Sequence, residues 1–180
     1  MNDVDVGIDV ISMPGATLAA LSSVLRSELG AEDAARVMRR IGLQSGAYFY
    51  DRFRQWAGTE PTALGMDVFW GQLSDFFEHL GWGRLEHEAG HPGVLVLELI
   101  DWVEARHDAS RIGCHFTTGL LADILSRVVG GELAALEVAP GTPPSEGTGR
   151  ILIGNPGTLD VLYSKMRNGV RYEEAIEALV

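Results

Sequence analysis

The hydrophobic period of this chain first changes at Gly81-Trp82-Gly83, and that change limits its possible folds more than any other feature. Before it, apolar residues recur every three or four positions, the spacing of a helix face. After it come short alternating or continuous apolar runs, the spacing of strands. A chain that carries both patterns must pack helices against a sheet. Ala16–Leu29 is predicted as a helix with Leu18, Leu21, Leu25 and Leu29 on its stripe, stopped by Gly30. A second helix is predicted from Glu32 to about Trp56, with Val37, Ile41, Tyr48 and Phe53 inward. A third, about Met66 to Leu80, presents Phe69, Trp70, Leu73, Phe76, Phe77 and Leu80.

Beyond the glycines, Arg84–Ala89 and Val94–Ile100 read as a hairpin around the turn Gly90-His91-Pro92-Gly93. Asp101 to Gly113 is a charged, irregular connector. His115–Val129 is a fourth helix, ended by Gly130-Gly131, and Leu133–Val138 and Arg150–Ile153 are short strands separated by a Pro/Gly-rich loop. Two closing helices follow, about Leu159–Arg167 and Tyr172–Leu179. With no internal repeat and no linker, residues 1–180 are expected to form one α+β domain.

Two features of the helical half point outward. Gly42 and Gly46 lie four apart inside the second helix, where each costs up to about 1 kcal/mol relative to alanine. Either another element approaches closely there or the helix carries a weak spot. The two N-terminal stripes together exceed what one small sheet covers, so a homodimer joined through these helices is expected.

At 180 residues the chain buries roughly two-thirds of its unfolded surface. A formal net charge of −11 repels phosphate backbones, which argues against nucleic acid as a partner. The longest apolar run, Val94 to Val103, is broken by Glu98 and Asp101, so no membrane span is expected. The first residues, with Asp3, Asp5 and Asp9, lack the basic start of a signal peptide. Cys114 is the single cysteine, which excludes an intramolecular disulfide and makes the cytoplasm the expected location.

No phosphate-binding glycine loop, nucleophile elbow, H-E-x-x-H or C-x-x-C occurs, so catalysis, a cofactor and a metal are all unexpected. Glu86 and Glu88 share a strand face as exposed hairpin residues rather than an acid/base pair. His79, His87, His91 and His107 sit among charges or in a turn and read as surface residues. His115 differs because it follows Cys114 at the start of an apolar helix. That pair suits a metal or haem ligand, or else a buried thiol beside a satisfied imidazole. Phe77, Trp82, Trp102, Phe116 and Leu120 are candidate walls of an apolar pocket, or packed core. Cys114, His115 and Thr118 lie beside them, and Gly119 leaves one helix face without a side chain.

The segment Phe76-Phe77-Glu78-His79-Leu80-Gly81-Trp82-Gly83-Arg84-Leu85 resembles the FFxxLGWG entry to the sheet in 4-vinyl reductase-type domains. Cys114-His115-Phe116-Thr117-Thr118-Gly119-Leu120-Leu121-Ala122 resembles the same family's CHFxxGLLAG helix start. Gly131 to Val138 resembles the following strand, and the likeness extends over about residues 29–153. It implies a TRAPP-subunit-like ligand-binding fold, shared by nitric-oxide-signalling and Golgi-transport proteins: a small antiparallel sheet with helices packed on one face, often dimeric. Residues 156–180 are the closing helices outside that core.

Relatives of this type serve as aromatic-sensing input domains, as accessory proteins of bacteriochlorophyll synthesis and as vesicle-tethering subunits. Fold does not choose among these roles; the aromatic stripe and the lack of a catalytic constellation favour a dimeric, non-enzymatic binding or sensor domain with an apolar pocket for a small apolar or aromatic molecule. An accessory or reductase-like role in tetrapyrrole metabolism and a protein-binding scaffold are the alternatives. Many relatives hold a structural zinc. Two of its four ligand positions match Cys114 and Glu137, while the others fall near Pro140 and at Thr148 or Gly149, which supply no thiolate. A zinc site like the family's is therefore not expected.

Overall fold

Helical and strand periods separate as the sequence predicts, in a computed structural model that describes residues 15–91, 93–106, 113–138 and 147–179. The long helices are α1 (Ala16–Leu29), α2 (Ala31–Ala57), α3 (Met66–His79) and α5 (His115–Val129). A short α4 (Val103–Arg106) forms inside the charged connector, and α6 (Pro156–Arg167) and α7 (Tyr172–Glu177) close the chain. Strands β1 (Arg84–His91), β2 (Val94–Ile100), β3 (Ala134–Val138) and β4 (Gly149–Gly154) make one sheet in the order β1-β2-β4-β3, antiparallel throughout.

The sheet is apolar on both faces, which explains why Val94–Ile100 reads as a continuous apolar run. Leu95, Leu97 and Leu99, with Leu85, Ile151 and Ile153, join the main core beneath α2, α3 and α5. Val94, Val96, Leu152 and Val138 point the other way, against Leu159, Leu162, Ala175 and Ile176 of the closing helices. The four long helices thus lie on one face, as the α+β reading requires, and α6 and α7 cover the other. Arg150 ties this second layer down, paired with Glu98 across the β2–β4 register and hydrogen-bonded to the Tyr172 hydroxyl.

The inward face of α2 differs from the predicted one. Ala34, Met38, Gly42, Gly46 and Phe53 are buried, whereas Tyr48 is exposed and Val37 and Ile41 only partly covered. The reason lies in α5. A Cβ at Gly42 would sit 2.0 Å from the Phe116 carbonyl oxygen, and one at Gly119 would sit 2.0 Å from that of Arg39. Each glycine thus receives the other helix's backbone, a reciprocal contact that brings Cα–H groups onto carbonyls. Small residues gave that face a weak hydrophobic signal although it is the most tightly packed one.

Candidate functional site

The amino terminus of α5 is the most polar part of the interior, and its sequence shows why. Its N-cap is Cys114, whose side chain makes no capping hydrogen bond. A buried helix start needs acceptors for its free amides, so other segments must bring them. Two carboxylates do. Glu104 of α4, 3% exposed, accepts the Phe116 N–H and the Thr117 N–H at 2.9 Å each and the Thr117 hydroxyl at 2.7 Å. Glu137 of β3 accepts the Cys114 N–H through both oxygens at 2.9 Å and lies 3.6 Å from Nδ1 of His115. Both charges also suit the positive end of the helix dipole.

Trp102 continues this network. Asp101, at φ 52°, swings the chain out of β2 so that the Trp102 ring turns inward. The Trp102 N–H is held by the Gly147 carbonyl at 2.8 Å, and Val103 N–H by that of Trp82 at 2.7 Å. Gly83 makes this turn possible: a Cβ there would meet the Ile100 and Asp101 carbonyl oxygens within 2.7 Å, and its φ of 119° suits only glycine. The Trp102 indole Nε1–H then donates to the Thr117 hydroxyl oxygen at 2.7 Å, completing a buried Trp102–Thr117–Glu104 chain.

Burial is the main force on the Glu104 carboxyl and pushes its pKa up to about 7, opposed by the Thr117 and Phe116 donors and aided by the charge of Glu137. The ordinary value is 4.5, so between pH 4.5 and 7 the folded chain holds a proton that the unfolded chain releases. The stability from this group is complete below about pH 4.5 and is lost as pH rises through 7. Relative to Glu104→Gln, the native protein is expected to lose ~3 kcal/mol more across that window. Urea denaturation of both proteins at pH 5 and pH 8 measures the difference, and parallel losses would refute it.

Around the Trp102 ring lies an aromatic nest. Phe77 stands 5.2 Å from Trp102 and 5.9 Å from Trp82, ring centre to ring centre, and Trp82 stands 5.8 Å from Phe116. Phe49 of α2, which the sequence reading overlooked, stacks on Phe77 and meets Trp82 edge-on. Such separations are those of rings in mutual contact. Four of the predicted site residues, Phe77, Trp82, Trp102 and Phe116, are therefore assembled in one place, with Leu120 fully buried in the same core.

The predicted polar handles fare differently. Thr118 is fully buried and donates its hydroxyl to the Cys114 carbonyl at 2.6 Å. His115 is half-buried beside Glu137. Gly119 requires a correction: its open side is filled by the α2 backbone, so it forms a helix crossing and not a pocket wall. Glu104 and Thr117 went unnoticed because Glu104 sits in a run of charges. The available signal was an apolar helix start with no Ser, Thr, Asp or Asn to cap it.

Cys114 and Glu137, the two positions that the resemblance matches to zinc ligands, meet in the structure. Glu137 engages Cys114, and a Cβ on Gly149 would lie 3.3 Å from the Cys114 Sγ. The donor set nevertheless does not fit a closed zinc site, since Gly149 has no side chain and Pro140, outside the described residues, has no donor. Among the described residues no three His, Cys, Asp or Glu side chains are grouped to hold a metal ion. His79 and His87 are exposed; His107 lies outside the described residues.

No protein-family model matches the chain, and no curated protein matches it either. Solved structures do. The crystal structure of the phenol-responsive sensory domain of the transcription activator PoxR with phenol superposes with a TM-score of 0.64 and 18% identity, over 88% of this chain and 82% of that one. The two chains share an α+β fold across most of their lengths. A structure titled "Modulating Heme Redox Potential Through Protein-Induced Porphyrin Distortion" superposes more loosely, with a TM-score of 0.49 and 14% identity over 82% and 79% of the two chains. Among the described residues, no helix is long and apolar enough to cross a membrane.

Proposed function

We propose that this chain is a dimeric, non-enzymatic sensory or regulatory domain that binds a small apolar or aromatic molecule. The observation that carries the reading is the fold shared, across most of both chains, with a domain that responds to phenol. The ligand lies against the aromatic wall of Phe77, Trp82, Trp102 and Phe116, with Cys114 and His115 at the head of the adjoining α5. Trp82 and Phe49, the half-buried rings, stand at the way in. The buried Trp102–Thr117–Glu104 chain keeps this wall rigid, since every donor in it is satisfied.

Dimerisation rests on apolar surface that the fold does not cover. Leu21, Val24 and Leu29 of α1 and Leu43 and Tyr48 of α2 are exposed, a composition more typical of an interface than of free surface. Native mass spectrometry of the purified chain with and without phenol tests both parts at once. The expected spectrum is a dimer that gains one phenol per subunit. A monomer at micromolar concentration would remove the dimer, and failure to take up phenol, benzoate or toluene would remove the sensor.

A further inference from the structure

We infer that the indole N–H of Trp70 is the hydrogen-bond donor of a ligand site between α3 and the edge strand β1, for a small neutral aromatic molecule bearing an oxygen acceptor, as a phenol does. The inference rests on the small-molecule reading above and moves the ligand's contact along α3, from the nest at Phe77 to Trp70.

Trp70 is 8% exposed, and its Nε1 is buried without an acceptor among the described residues. Trp102, fully buried in the same core, shows the usual arrangement, donating to Thr117 at 2.7 Å. Buried N–H groups in native proteins are almost always paired, because an unpaired one costs about 1–3 kcal/mol. A donor left unpaired on an aromatic side chain of the main core points to an acceptor that comes from outside the described residues.

The surroundings define the ligand. The His87 imidazole lies nearly parallel to the Trp70 ring, at 5.2 Å and 20°, and Phe69 meets it edge-on at 5.0 Å. Leu73 and Phe77 continue the same face of α3 toward the nest, one and two turns further on. These are flat and apolar neighbours, suited to a ring. An indole donates and does not accept, so the ligand's polar atom must accept. A net charge of −11 disfavours an anion, which leaves a neutral oxygen.

His87 supplies the way in. It sits on β1, the sheet's edge, on the same strand face as the buried Leu85, yet is itself exposed. Its ring stacks on one face of the Trp70 indole, and side-chain rotation bares that face without breaking a ladder hydrogen bond.

The test compares phenol with toluene, which has the same shape but offers no oxygen. Nitrogen-15 labelling gives one indole N–H resonance for each of the four tryptophans, and Trp70→Phe identifies the one that matters. His87→Ala, at an exposed position, assigns it independently by removing the imidazole ring current, should Trp70→Phe not fold. Phenol is expected to bind about tenfold more tightly than toluene, the worth of one neutral hydrogen bond, and to shift the Trp70 indole resonance where toluene does not. In Trp70→Phe the preference is expected to vanish while toluene affinity stays. If phenol binds but leaves that resonance unmoved, or Trp70→Phe keeps the preference, the anchor lies elsewhere and the sensor reading stands. Binding of neither molecule overturns both.

Discussion

Placing leucine at Gly119 is expected to destabilise the fold by at least ~3 kcal/mol, at the upper end of ordinary overpacking. The Cβ alone would stand 2.0 Å from the Arg39 carbonyl oxygen and 2.8 Å from the Leu43 nitrogen, both of them backbone atoms of α2. Backbone has no rotamer with which to escape, so the two longest core helices must move apart. In a chain of this length, each 1 kcal/mol lowers the melting temperature by about 2–4 °C, and a fall of roughly 10 °C follows. Alanine suffices for most of the effect. The mirror substitution Gly42→Ala meets Phe116 and Leu120 backbone in the same way and should cost as much.

Because the two glycines hold one crossing, their costs should not add. Once Gly42→Ala has spread the helices, Gly119→Ala adds little, and a double-mutant cycle measures that coupling. A melting temperature unchanged in Gly119→Leu would mean that α2 and α5 do not cross this closely. It would also reopen a cavity at that position.

The second large effect is expected at Glu104. Truncation to alanine leaves the Phe116 and Thr117 amides and the Thr117 hydroxyl without their acceptor inside the core. Each unsatisfied donor costs about 1–3 kcal/mol, so a loss of at least ~3 kcal/mol is expected at pH 5 in chemical denaturation. Glu104→Gln keeps one acceptor oxygen but turns an amide N–H₂ toward a donor, and should fall between the two. If alanine and glutamine variants are equally and only slightly destabilised, the carboxylate is not what holds the start of α5. The loss should also spread to Trp102, whose indole depends on the Thr117 hydroxyl staying in place, and a shift of the Trp102 indole N–H resonance reports it.

Much of this architecture was legible in the residues. The period change at Gly81-Trp82-Gly83 separated the main helical half from the sheet, and the bounds of α1, α5 and β2 follow from apolar spacing and flanking glycines. The likeness to 4-vinyl reductase-type domains grouped Cys114 and Glu137 with a position at Thr148 or Gly149, and in the structure Glu137 accepts the Cys114 N–H while Gly149 lies beside the Cys114 thiol. These features depend on local pattern, which a sequence carries directly.

What the pattern could not carry was the pairing of faces. Hydrophobicity ranked Val37, Ile41 and Tyr48 above Gly42 and Gly46, yet α2 buries the glycines because close backbone approach rewards the absence of a side chain. Glu104 looked like one charge among several in a connector. Only the folded chain sets it over three donors at the head of a helix that begins without a cap of its own. Trp70 read as core, and so it is, but the missing partner of its N–H is visible only once every neighbour is in place. Periodicity is a property of each segment, and so the sequence alone determined the elements and their order. Which backbone fills a glycine's empty side, and which carboxylate meets an orphan amide, depends on residues far apart in the chain, and tertiary packing decided both.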